Sequence, residues 1–153
     1  MSRTAATLRQ NAEEWAGLVG GDEIGLRRRP GPATWSVLEY ACHVRDVFRI
    51  FDHRLERMLT EDDPAYANWD QDATAVAERY GEQHPPAVAV ELLAASHALA
   101  DRFDGVAGEQ WARTGRRSDG ARFTVESLAR YLVHDPVHHL ADVGGAVSAL
   151  AGC

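Results

Sequence analysis

The spacing of apolar residues divides the chain into long helical stretches joined by polar, glycine- and proline-bearing connections. Over residues 3–19, Leu8, Ala12, Trp15 and Leu18 recur at steps of four, three and three, which is one stripe of an amphipathic helix, with Arg9, Glu13 and Glu14 among its polar residues. Gly20-Gly21 ends that stripe, and a loop with further Gly and Pro runs to Thr34. Ser36-Val37-Leu38-Glu39 then has the form of a capping box, in which a Ser and a Glu three residues on satisfy each other's backbone N–H groups. Trp35 stands ahead of the cap, where a hydrophobic staple residue sits. The helix that follows is expected to reach about Leu59, with Leu38, Tyr40, Ala41, Val44, Val47, Phe48, Phe51, Leu55 and Met58 on a wide buried face.

Further along, residues 60–69 read as a polar connection, with Glu61-Asp62-Asp63-Pro64 as the turn signal. Residues 70–80 suit a short helix. Pro85-Pro86 restarts the chain, and residues 87–103 predict a third long helix with Val90, Leu93, Leu99 and Phe103 inward. Residues 105–123, holding Gly108, Gly115 and Gly120, are expected to be irregular, and no strand pair stands out. Thr124-Val-Glu-Ser opens a last helix that ends near Leu150. With no internal repeat, four long helices on short or middling connections predict an all-α four-helix bundle, a single domain over residues 1–153.

Composition narrows the partners. Hydrophobic residues make up 45% and charged residues 25%, which suits a packed globular chain and leaves little room for disorder. The formal charge of -7 disfavours nucleic acid as a partner, because phosphate binding needs a basic surface. Arg27-Arg28-Arg29, beside Pro30-Gly31-Pro32, reads as a solvated loop. Cys42 and Cys153 do not make a disulfide framework; Cys42 falls in an apolar helical pattern and reads as a small core residue. The N-terminal stretch has no apolar signal core and no run is long enough to cross a bilayer, so no membrane partner and a cytoplasmic location are expected.

The chemistry concentrates in Tyr131-Leu-Val-His-Asp-Pro-Val-His-His-Leu-Ala-Asp142, which holds three of the seven histidines. His134 and His138 are four apart, so a regular helix puts them on one face, a spacing that lets two imidazoles grip one metal ion. Asp135 replaces the Glu of an HExxH protease helix, so this is not that motif. Pro136 removes a backbone hydrogen bond and clashes with the carbonyl of Leu132, so a kink or π-bulge is expected there. Regular geometry pairs His134 with His138, and a π-bulge would pair it with His139 instead. His43 lies on the second long helix, with Glu39 one turn before it and Asp46 one turn after. His53, His84 and His97 are expected at the surface.

The set Trp35-Ser36-Val37-Leu38-Glu39, His43 and Asp46 on one helix, with His134 and His138 near the chain end, resembles the DinB-like superfamily of four-helix-bundle proteins. The resemblance covers essentially the whole chain. It implies a divalent metal, Zn or Ni foremost, held by one His from the second helix and two ligands from the last: here His43, His134 and His138. His139, beside His138, is the alternative third ligand. Asp46, Asp135 and Asp142 lie three or four residues from these histidines, where carboxylates commonly accept the other ring N–H, and Asp46 or Asp142 is an alternative ligand. A three-ligand site keeps a position open for a water or substrate. The resemblance further implies thiol-dependent transferase or isomerase chemistry on a small-molecule substrate, with a low-molecular-weight thiol such as mycothiol or bacillithiol. A hydrolase, or a non-catalytic metal- or ligand-binding module, is the alternative. Trp69 and Asp70 sit in a linker that could wall a substrate pocket, residues 116–122 are expected near the thiol, and a homodimer is a further expectation.

Overall fold

The computed structural model describes residues 2–20, 23–134 and 139. Helix α1 (Arg3–Val19) starts at Ser2, whose hydroxyl accepts from the Ala5 N–H at 3.0 Å. Its buried stripe is Ala5, Leu8, Ala12, Trp15 and Val19, with Leu18 only partly buried. Helix α2 (Glu23–Arg27) is a short helix in a stretch expected to be loop.

Helix α3 (Val37–Thr60) carries the capping box: the Glu39 N–H donates to Ser36 Oγ and the Ser36 N–H to Glu39 Oε1, each at 3.2 Å. Trp35 and Tyr40, the residues on either side of this first turn, meet with ring centroids 5.4 Å apart, which is the staple that sets the entry angle. Helix α4 (Gln71–Ala77) is short, and α5 (Pro85–Asp104) begins with proline in its first turn and ends at Gly105. Helix α6 begins at residue 125 and is helical through 134, with His139 also helical. Its start is fixed reciprocally, Thr124 N–H to Ser127 Oγ at 2.9 Å and Ser127 N–H to Thr124 Oγ1 at 3.0 Å.

The four long helices α1, α3, α5 and α6 form the bundle. Helix α5 packs against both α1 and α3, and Ser96 Oγ donates to the Leu8 carbonyl at 2.9 Å to tie α1 to α5. Trp15, Phe48, Phe103, Leu128 and Leu132 are among the fully buried side chains of one core. The inward face of α5 differs from the expectation. Val88, Leu92, Ser96, Leu99 and Phe103 are buried, Leu93 is partly buried, and Val90 is 68% exposed. A helix turns 100° per residue, so Val90 stands roughly opposite Val88 once that residue faces the core.

A three-stranded sheet also corrects the expectation of an irregular stretch without strand pairs. Strand β1 (Ala65–Tyr66) pairs parallel with β2 (Thr114–Arg117), which pairs antiparallel with β3 (Arg122–Thr124). These strands are two to four residues long, and Thr-Gly-Arg-Arg shows no apolar alternation for a sequence reading to find. What builds them is a turn through Gly120, at φ 92°, and close packing on α3. A Cβ added at Gly115 would lie 2.9 Å from Met58 Cγ and 3.0 Å from Tyr66 Cε1. Among the described residues no helix is long and apolar enough to cross a membrane.

Candidate functional site

His43 is fully buried on α3 and is enclosed by three rings. The Trp69 indole stacks on it, centroids 5.4 Å apart and planes 6° from parallel; Trp35 is tilted at 5.2 Å; and His139 meets it edge-on at 4.8 Å. Tyr40 in turn contacts His139 at 5.4 Å. Local structure places each wall: Trp35 is held by the α3 cap, while Trp69 precedes α4 and donates Nε1–H to Thr74 Oγ1 at 2.8 Å. Its neighbour Asp70 is exposed and caps α4, accepting from the Ala73 N–H at 3.0 Å. Of the two linker residues expected at a pocket, Trp69 therefore stands against His43 and Asp70 serves its helix.

A cavity of about 80 Å³ opens beside His43, walled by Phe51, Arg54, Trp69, Arg117 and Tyr131. A second space of about 180 Å³ is lined by Trp35, Tyr40, Asp72 and His139, and Gln71 borders both. Arg54 is 7% exposed; its guanidinium lies 4.5 Å from the Tyr66 ring and 5.4 Å from the Phe51 ring.

The structure brings His139 to His43. His134 is exposed and lines a different groove, with Arg3, Trp111 and Arg130. His138, Asp135 and Asp142 lie outside the described residues. Among the described residues no group of three His, Cys, Asp or Glu side chains converges as a metal cluster; the two-histidine approach is what they contain.

Asp46, one turn past His43, has its carboxylate in another network. It accepts from the Tyr80 hydroxyl and from Arg45 Nε at 3.0 Å, with Arg49 at 3.6 Å. Burial, and then the hydrogen bond to Asp46, push the Tyr80 phenol far above its ordinary value. The network ties the 3₁₀ turn Tyr80–Glu82 to α3. Cys42 is buried in the core as expected, and burial pushes its thiol up to about 12. His53, His84 and His97 are exposed.

The arginine run is more engaged than a solvated loop. Arg28 is exposed, but Arg27 donates to the Gly81 carbonyl at 2.7 Å and Arg29 pairs with buried Glu39 at 2.6 Å. The loop folds over the start of α3 because the capping-box carboxylate, largely withdrawn from water, draws a cation to it. Composition gave no sign of this, nor of Arg54 at the cavity. Arg54 follows His43 by eleven positions, three helical turns, so the helical period carried a signal that an isolated arginine did not.

The structure is thus a four-helix bundle in which a buried histidine of the second long helix meets a histidine of the last. The chain belongs to the DinB superfamily, whose family model matches residues 4–143. It is similar in structure to YfiT from Bacillus subtilis, described as a probable metal-dependent hydrolase with an unusual four-helix bundle topology. That likeness has a TM-score of 0.86 at 19% identity, over 99% of this chain and 90% of the other. It is also similar to a mycothiol-dependent maleylpyruvate isomerase, at a TM-score of 0.73 and 12% identity; the match spans 92% of this chain but 59% of the isomerase chain. At these identities the likeness is one of fold. No curated protein matches the chain.

Proposed function

We propose that this protein is a metal-dependent enzyme that activates a low-molecular-weight thiol, such as mycothiol or bacillithiol, for transfer to or isomerisation of a small substrate. The observation that carries the reading is the approach of half-buried His139 to buried His43, 4.8 Å between ring centroids, beside a cavity. Two imidazoles from separate helices fit a borderline cation such as Zn²⁺ or Ni²⁺. For the third ligand the sequence offers His138, beside His139, or Asp135, four positions before it; both lie outside the described residues. A cation held there would supply Lewis acidity that lowers the pKa of a thiol.

The chain's own side chains do the rest. Trp69 and Trp35 keep water from the buried face of His43 and hold its ring plane, while Phe51 and Tyr131 give the cavity apolar walls. No Asp, Glu or Lys is among the described residues lining the cavity. The resemblance in fold to a mycothiol-dependent maleylpyruvate isomerase supports a thiol nucleophile. The resemblance in fold to a protein described as a probable metal-dependent hydrolase supports the alternative of an activated water at the same ligands.

Elemental analysis of untagged protein tests the reading. The expected result is about one first-row metal per chain, as for a mononuclear site, lost in His43→Ala and in His139→Ala and kept in His134→Ala. A metal-free wild type that gains no thermal stability from Zn²⁺ or Ni²⁺ would overturn it.

A further inference from the structure

We infer that Arg54 is the anchor for a carboxylate carried by the small molecule that reacts at His43, so that the site takes an anionic ligand. The inference rests on the proposed function for where the ligand reacts, and on Arg54 itself for the charge it must carry.

Arg54 is 7% exposed, yet among the described residues no carboxylate pairs with it. Its hydrogen bond there is a single one, from Nη2 to the Ala67 carbonyl at 2.9 Å, and its other contacts are the faces of Tyr66 and Phe51. A guanidinium has five donors, and one removed from water without an acid is costly to keep. The neighbouring arginines are provided for: Arg49 pairs with Glu91 at 2.9 Å, Arg57 with Glu61 at 2.8 Å, and Arg117 with Asp119 at 2.7 Å. Arg54 differs from all three.

Its position gives the vacancy in pairing a use. Arg54 lies three turns beyond His43 on the same face of α3, and helical side chains lean toward the helix N-terminus, which carries a long arginine back toward His43. Both residues line the 80 Å³ cavity. Arg54, Asn68 and Trp69 also line a wider groove of about 480 Å³, so they stand between that groove and the cavity. Burial pulls the Arg54 pKa down, and the charge of Arg117 pulls it further. Both effects favour a ligand that brings negative charge to this place, and the planar fork suits a carboxylate held by two parallel bonds.

The carboxylate belongs either to the thiol or to the second substrate, and paired probes separate them. Calorimetry on the metal-loaded full chain would compare 4-mercaptobutyrate with its neutral amide, and glutarate with glutaramide. The glutarate pair is repeated on metal-free protein, so that it reads Arg54 even if the metal reading fails. Metal content is measured on the same samples, so failure of that reading shows as absent metal and failure of this one as absent carboxylate preference. The expected result is an acid-over-amide preference of about tenfold or more in at least one pair, the scale of a charge-assisted hydrogen bond. That preference should fall to about twofold or less in Arg54→Met and be partly kept in Arg54→Lys, with circular dichroism checking that both variants fold. Preference in the thiol pair alone assigns the carboxylate to the thiol; preference in the glutarate pair assigns it to the other substrate. A wild type without preference in either pair, or a folded Arg54→Met that keeps it in full, would overturn the inference.

Discussion

The Trp69 indole lies flat on the His43 imidazole, 5.4 Å between centroids and 6° between planes, although the two residues reach this contact from a helix and from a linker. The stack fixes the His43 ring about one axis, and the bond from Trp69 Nε1 to Thr74 holds the indole in turn. A ligand imidazole needs such orientation, because lone-pair direction decides whether a cation can be shared with a second ring.

Trp69→Ala should therefore loosen the site as well as the fold. Loss of the stack is expected to cost about 0.5–1.5 kcal/mol beyond the area exposed, read from urea denaturation of metal-free protein. Zn²⁺ affinity should fall in the same variant. Trp69→Phe keeps a flat ring but not the bond to Thr74, so it should restore most of the affinity; a phenylalanine as damaging as alanine would show that the stack is not what positions His43.

Glu39 gives the fold an acid-sensitive joint. Burial raises its carboxyl pKa, but the Arg29 hydrogen bond and the bonds at Ser36 outweigh that, and the net displacement is downward from 4.5. A carboxyl with a depressed folded-state pKa adds stability that is present above its unfolded value and lost as pH falls through the folded one. Stability should thus decline as pH drops below about 4.5, the unfolded value. Arg29→Met should flatten that part of a stability-against-pH curve. Ser36→Ala, which removes the other half of the box, should cost about 1 kcal/mol near neutral pH.

Gly115 is a packing constraint rather than a turn residue. A methyl group there would press on Met58 Cγ at 2.9 Å and Tyr66 Cε1 at 3.0 Å. Gly115→Ala is expected to destabilise by about 1–3 kcal/mol, the usual range for overpacking, measured by chemical denaturation. Gly31→Ala, where nothing lies within 4 Å of the added carbon, is the control and should be close to neutral.

Two aliphatic residues of α5 check the register of that helix. Leu92 is fully buried and Val90 is 68% exposed. Leu92→Ala should cost about 2–5 kcal/mol as a core truncation, while Val90→Ala should stay within about 0.5 kcal/mol of wild type. Equal costs would mean that α5 faces the core differently.

Local chemistry was legible in the sequence. The capping box at Ser36 and Glu39, the Trp35 staple, the stripe of α1, the broad apolar face of α3 and the opening of the last helix at Thr124 all involve residues within a turn or two of one another, where spacing alone decides the interaction. Those signals set out the four long helices and placed His43 on the second of them. The tertiary structure decided what distant residues do. It put Trp69 on His43, Arg29 on Glu39 and Asp46 under Tyr80, contacts between segments whose separation in the chain carries no periodic mark. It also built strands too short and too polar to show alternation, and turned Val90 outward by a rotation that one apolar residue cannot specify. In the sequence Pro136 left open which histidine would face inward, and only the tertiary structure sets His139 against the buried ring of His43, with His134 in a separate groove.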